Sequence, residues 1–160
     1  MNKKILLIFL VVVVIGNFIW FFKPDLTGNL FFEQDDKEIG FVTKVIDGDT
    51  IIVGGESIRF LGIDANEKGE KCYKEAKIRL EDLVLNKEVI LERDVKDKDP
   101  YKRLLRYIFV EENGVKINVN LILVEEGLAI ARFYEDKKYK KEILEAEIKA
   151  RENKIGCKWS

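Results

Sequence analysis

The most extreme hydrophobic pattern in the chain comes first. After Met1-Asn2-Lys3-Lys4, residues 5–22 carry no charge, and only Gly16 and Asn17 interrupt the apolar side chains. At 1.5 Å of rise per residue, a helix of about 20 residues crosses roughly 30 Å of hydrocarbon, so this run is just long enough to span a membrane. It ends in Phe18-Ile19-Trp20-Phe21-Phe22 with no small-x-small cleavage site, and Trp20 and Lys23 suit a membrane interface. We therefore expect an uncleaved transmembrane helix over residues 1–23, with a cleaved secretory signal as the alternative. Lys3, Lys4 and the terminal amine favour the cytoplasmic side, which places the remainder outside the cytoplasm. Residues 24–40, with Pro24, Gly28 and Glu33-Gln34-Asp35-Asp36, read as a linker.

From residue 41 to the end the pattern is that of a folded domain. Residues 41–46 alternate and are β-branched; Asp47-Gly48-Asp49-Thr50 breaks them as a turn. Residues 51–53 resume, Gly54-Gly55 makes a two-residue hairpin, and residues 57–61 return, which completes a three-strand meander. Between 69 and 86 the spacing lengthens: Tyr73, Ala76, Leu80 and Leu83 recur at three or four, predicting an amphipathic helix that Asn86 stops. Residues 89–91 and 104–110 predict two more strands. Asn120 is expected to cap a short apolar helix that Gly127 ends, and Tyr139, Ile143, Ala146 and Ala150 mark a last helix over about 136–153. Five strands, one helix after the third and further helices after the fifth is the order of a small closed barrel of OB type. Other α+β arrangements share that order.

Composition adds one sharp exclusion. The 160 residues include no histidine, which removes Ser-His-Asp and Cys-His nucleophiles, His-ligated zinc and a histidine base. Acid–base chemistry must then run on carboxylates, Lys, Tyr or Arg. The 28 Lys+Arg and 29 Asp+Glu nearly balance, so the chain has neither a basic nucleic-acid coat nor an acidic tail.

Candidate chemistry gathers at turns. Asp49 and Asp64 lie at strand ends of one meander, and two carboxylates, a backbone carbonyl and water make a hard oxygen site suited to Ca²⁺. Asp also favours turns simply by accepting hydrogen bonds from nearby amides, a reading that stays open for each of them. Arg59, between Ile58 and Phe60, either faces solvent or meets an anionic partner; Arg103 sits in the turn ahead of the fifth strand. Two arginines and a divalent cation are what a phosphodiester transition state requires, and Glu67 can polarise the attacking water. Arg132 and the run Lys137, Lys138, Lys140 and Lys141 are either a solvated helix face or a hold on nucleic acid.

These residues stand in strings that resemble the thermonuclease family, of which staphylococcal nuclease is the type. The strings are Val45-Ile46-Asp47-Gly48-Asp49-Thr50, Ile58-Arg59-Phe60-Leu61-Gly62-Ile63-Asp64-Ala65-Asn66-Glu67, and Asp99-Pro100-Tyr101-Lys102-Arg103-Leu104-Leu105. The resemblance covers about residues 41–159 and implies a five-stranded OB-fold barrel with three α-helices and a Ca²⁺-dependent phosphodiesterase acting on DNA and RNA. It implies Asp49 and Asp64 as metal carboxylates, with Ala65 lending its backbone carbonyl. Arg59 and Arg103 look like the phosphate-binding arginines, Glu67 like the general base, and Tyr101 like a substrate contact, with Phe133 and Tyr134 near the wall that meets bases. Two departures stand out: Asn66 replaces a proline, and Lys102 replaces a glycine, which matters if that backbone needs positive φ.

Cys72 and Cys157 are the only cysteines. In an exported domain such a pair suggests a disulfide, and in the cytosol two free thiols. The expectation is thus a monomeric, membrane-anchored, extracytoplasmic Ca²⁺-dependent nuclease with little sequence specificity. A non-catalytic OB-fold module binding nucleic acid or protein is the alternative.

Overall fold

Alternating β-branched residues build a barrel whose closure depends on one bent strand. The computed structural model describes residues 37–160. Strand β1 (Lys37–Val45) pairs through residues 37–41 with β5 (Glu88–Glu92) and through 42–45 with β2 (Thr50–Val53), with a bulge between Val42 and Lys44. A bulge sharpens the local twist, which lets a single strand serve both halves of a small barrel. Strand β3 (Glu56–Phe60) pairs with β2 and, in parallel, with β6 (Leu104–Glu112), while β5 pairs with β6. The order β3-β2-β1-β5-β6, joined back from β6 to β3, is the expected closed five-stranded barrel. Gly54 and Gly55 both hold positive φ (57° and 86°), as the tight β2–β3 hairpin requires.

The remaining elements pack on this barrel. Helix α1 (Tyr73–Val84) buries Ala76, Leu80 and Val84, and Asn86 follows it with φ 59°. Strand β7 (Val115–Asn118) pairs antiparallel with β6, and α2 (Val119–Glu125) follows at once. A two-stranded sheet pairs β4 (Ile63–Ala65) with β8 (Ala129–Ala131). Helices α3 (Lys140–Glu152) and α4 (Gly156–Trp159) finish the chain, so among the described residues four helices stand where three were expected of the barrel domain. Strand β1 starts at Lys37, inside the stretch read as a linker. The expected transmembrane helix lies outside the described residues, and no helix among those residues is long and apolar enough to cross a membrane.

Asn120 corrects one expectation. The cap of α2 is Asn118, whose side chain accepts from the Leu121 N–H at 3.2 Å. Asn120 is fully buried instead: its Oδ1 accepts from Ile108 N–H at 2.9 Å and its Nδ2 donates to the Leu61 carbonyl at 2.8 Å. A short polar side chain before an apolar run serves either role, and here the barrel wall takes it.

Two further ties fix the periphery. Cys72 and Cys157 form a disulfide that joins the start of α1 to α4, with Cα atoms 5.5 Å apart. Glu92, at the end of β5, accepts from Tyr139 Oη at 2.7 Å, Lys138 Nζ at 2.9 Å and Lys116 Nζ at 3.0 Å. Burial pushes the Glu92 carboxyl up, but these three donors more than offset that and hold it at about 2. Nearby, Asp94 accepts from the Lys137 and Lys138 amides, and Asp136 accepts from the Lys96 amide at 2.9 Å. Residues 92–98 and 132–139 are thereby laced side by side.

Two predictions follow from these ties. A folded pKa near 2, below the ordinary carboxylate value, means that Glu92 stabilises the fold above about pH 4.5 and loses that contribution as pH falls toward 2. The stability gap between wild type and Glu92→Gln should therefore shrink by roughly 3 kcal/mol across that window in urea titrations. A gap independent of pH would contradict the assignment. Opening the disulfide, which spans 85 residues, should cost about 4 kcal/mol in the chain-entropy model. Denaturant midpoints of the full chain with and without reductant measure it, and coincident midpoints would show that the bond constrains nothing.

Candidate active site

Strand register, more than any loop, assembles the site. Arg59 on β3 lies opposite Thr50 on β2, which sets its side chain beside Asp49. The parallel pairing of Ile58 with Leu104 brings Arg103, just ahead of β6, to the same end of the barrel. The chain then turns sharply at Gly62 (φ 75°), where a Cβ would come within 2.7 Å of the Phe133 ring, and β4 delivers Asp64. Gly48 allows a second close approach: a Cβ there would stand 2.7 Å from the Cβ atoms of both Ala65 and Ala76. That contact lets the Asp47-Gly48-Asp49 turn sit against β4.

The centre is one arginine held by two carboxylates. Arg59 ion-pairs through Nη1 with Asp49 Oδ1 and through Nη2 with Asp64 Oδ1, the latter at 2.6 Å, and only 16% of its side chain is exposed. Asp49 is almost wholly buried; its Oδ2 accepts from Ala65 N–H at 2.6 Å and its Oδ1 from the Thr50 hydroxyl at 3.3 Å. Asp47 braces it by accepting from the Asp49 amide at 3.1 Å. Burial lowers the Arg59 pKa, Asp64 raises it and neighbouring Arg103 lowers it again. Burial raises the Asp47 pKa, against the pull of a Thr50 hydrogen bond and of Arg59 and Arg103.

These groups open onto a cleft of about 540 Å³ lined by Arg59, Asp64, Glu67, Tyr101, Arg103, Arg132 and Tyr134 among others. Asp49 sits behind Arg59 and does not line it. Asp99 organises the second arginine: Oδ1 accepts from the Tyr101 and Arg103 amides at 2.9 Å, and Oδ2 from Arg103 Nε at 2.6 Å. That bond fixes the Nε edge of the guanidinium and leaves its Nη edge directed elsewhere. Tyr101 and Tyr134 are mostly exposed, each with an arginine over its ring, Arg103 at 5.5 Å and Arg132 at 5.7 Å. Phe133 turns the other way, against Gly62 and the core. Glu67 is exposed in a turn that its N–H closes on Glu70 Oε2 at 2.9 Å.

The donors suit a hard divalent cation. Asp49 and Asp64 point their oxygens at a single positive charge, that of Arg59, and the site offers carboxylate and carbonyl oxygen with no imidazole or thiolate. Among the described residues no third acidic or cysteine side chain joins them.

Three contacts escaped sequence reasoning. The Asp99–Arg103 pair has no counterpart among the expected contacts, although acid and base four apart mark it. Arg132 Nη1 donates to Asp64 Oδ2 at 2.7 Å, across 68 residues, and no local signal announces it. Lys158 Nζ donates to Asn66 Oδ1, and Asn66 Nδ2 to the Lys71 carbonyl. Burial lowers the Lys158 pKa, while Asp64, Glu70 and Glu147 raise it.

Comparisons with known proteins bear on this geometry. Residues 57–160 match the family model described as staphylococcal nuclease homologue. The chain is 35% identical to a micrococcal nuclease of Shigella flexneri over 131 residues, covering 76% of this chain and 73% of that protein. It is 36% identical to a thermonuclease of Staphylococcus hyicus, covering 74% of each chain. An uncharacterised endonuclease of Haemophilus influenzae is 37% identical over 72% of this chain and 63% of its own length.

Lys102 supplies a test of the arginine-bearing turn. It holds φ 66°, a left-handed conformation that costs a side-chain-bearing residue about 1 kcal/mol relative to glycine. Lys102→Gly should raise the unfolding free energy by about that amount, read from denaturant midpoints. A lower midpoint would mean that the Lys102 side chain contributes more than its backbone strain removes.

Proposed function

This chain belongs to the staphylococcal nuclease family, and on that premise we propose that it is a Ca²⁺-dependent nuclease hydrolysing phosphodiester bonds of DNA, RNA or both with little sequence specificity. One observation carries the reading: Arg59 and Arg103 line a single cleft together with Asp64 and Glu67, with Asp49 directly behind Arg59.

Asp49, Asp64 and the Ala65 carbonyl are the residues that would hold the cation. Bound there, a divalent ion supplies positive charge to a phosphate oxygen. The chain's own groups do the rest. Arg59 and Arg103 grip the non-bridging oxygens and stabilise the charge that collects on them as phosphorus becomes five-coordinate. Glu67 takes a proton from water as the water oxygen adds to phosphorus. The opposite P–O bond breaks with its electron pair, and the departing oxygen receives a proton from solvent. Tyr101 and Tyr134 offer exposed rings to bases, and stacking of that kind tolerates any sequence.

The hydrophobic run at residues 5–22 and the disulfide support action outside the cytoplasm, on a domain tethered to the membrane. Secretion after cleavage is the other route to the same compartment. A hard oxygen site with two carboxylates suits the high Ca²⁺ found there.

Digestion of plasmid and of RNA by the full chain, with Ca²⁺ or with chelator, tests the reading. Cutting should need Ca²⁺, and Arg59→Ala and Glu67→Gln should each lower kcat by about 10²–10³. Cutting that survives chelation, or rates that ignore both substitutions, would sink it.

A further inference from the structure

The cleft holds one guanidinium more than a single phosphate needs. Arg59 and Arg103 suffice for the two sides of one phosphorus, yet Arg132 lines the same space. It directly follows β8, the partner of the strand β4 that carries Asp64. Its amide donates to the Gly62 carbonyl at 2.9 Å just past β8, and its side chain reaches back to Asp64.

The two arginines on Asp64 are not equivalent. Arg59 takes Oδ1 and is 16% exposed, whereas Arg132 takes Oδ2 and is 53% exposed. A guanidinium buried between two carboxylates is fixed, because leaving either unpaired is costly. A half-exposed pair of the Arg132 kind is worth little and exchanges partners readily. Asp64 also keeps Arg59 if Arg132 departs. Arg132 therefore stands one carboxylate's width from the clamped arginine, beside exposed Tyr134, with a guanidinium whose five donors one oxygen cannot use up.

We propose that Arg132 is a binding residue for a second phosphate of the nucleic-acid strand, the one next to the phosphate being cut. The chemical class of ligand is a polyanionic strand with at least two phosphodiesters, and the residue sets preference for strands over isolated diesters. This rests on the nuclease reading above. Transfer of Arg132 from Asp64 to a phosphate exchanges one anion for another, so the exchange needs no buried charge to be left alone.

The test compares two substrates at saturating Ca²⁺: a single-stranded thymidine dodecamer and a chromogenic thymidine ester carrying one phosphodiester. For Arg132→Ala, the ratio of kcat/KM for the dodecamer to that for the single diester should fall roughly tenfold, the worth of one charge-assisted contact. The loss should lie in KM, and Arg132→Lys should recover much of it. The dependence of log kcat/KM on log salt for the dodecamer should flatten by about 0.7, as expected for one phosphate contact on a single strand. Equal losses on both substrates, or a loss confined to kcat, would assign Arg132 to holding Asp64 and overturn the subsite while leaving the nuclease standing. A wild-type chain inactive on both substrates would overturn the nuclease reading, and the subsite with it.

Discussion

A buried positive charge shared by two carboxylates is the constraint on which this structure turns. Arg59 alternates with the core residues Ile58 and Phe60 and so leaves β3 on the other face, where Asp49 and Asp64 cover it and only 16% of its side chain meets water. An unpaired charge there would cost several kcal/mol. Asp49 and Asp64 remove that cost only if β2, β3 and β4 hold their register, since a one-residue slip sends every side chain to the opposite face. The close approaches at Gly48 and Gly62 follow from the same need: both carboxylates must be brought to the arginine from chain segments that a Cβ would hold away. Geometry that resembles preparation for catalysis is first a solution to desolvation.

That solution sets the electrostatics of the cleft. Arg59, Arg103, Arg132 and Lys96 meet Asp64, Glu67, Asp99 and Asp136 within the lining, so positive and negative groups balance before Asp49 is counted. A polyanion gains nothing from a balanced surface. Positive charge added at Asp49 and Asp64 would tip the balance and loosen the arginines' obligations to those carboxylates. Under the proposed function, dependence on a cation and affinity for a strand would then be one property seen from two sides. The near-zero net charge of the whole chain is no obstacle, because the balance that matters is local and adjustable.

What was legible in the sequence is what lies close along it. The hairpin at Gly54-Gly55, the turn at Asp47-Gly48-Asp49, the helix spacing of Ala76 and Leu80 and the stop at Asn86 are all contained in short windows, where local propensity dominates. The three motif strings likewise kept Asp49, Arg59, Asp64, Glu67 and Arg103 in view. Three-residue strands β4 and β8 escaped because neither has the length to show a period; each exists only by pairing with the other across some 65 residues. Asn120 misled because an Asn before an apolar run looks like a cap whether its partner is the helix's own amide or a barrel carbonyl. Arg132 was visible only as a neighbour of a lysine run, since its partner Asp64 lies 68 residues away.

The same distinction explains how the loop bearing Glu67 stays ordered with Asn66 in place of a proline. A proline stiffens a turn through its own ring, a purely local device. Asn66 has no such ring, and uses both ends of its amide instead, one on the Lys71 carbonyl and the other on Lys158. Lys71 in turn donates to the Ser160 carbonyl at 2.8 Å, and the next residue, Cys72, is covalently joined to Cys157. Helix α4, four residues long, is far too short to hold together by its own hydrogen bonds. It is held by the disulfide, by the Lys158 amide donating to the Gly127 carbonyl at 3.1 Å and by Arg151 over the Trp159 ring, and through Lys158 it braces the loop. Stiffness that a ring would supply from within the loop is supplied from the far end of the chain, and that relocation ties the Glu67 loop to the segment that carries Cys157 and Lys158.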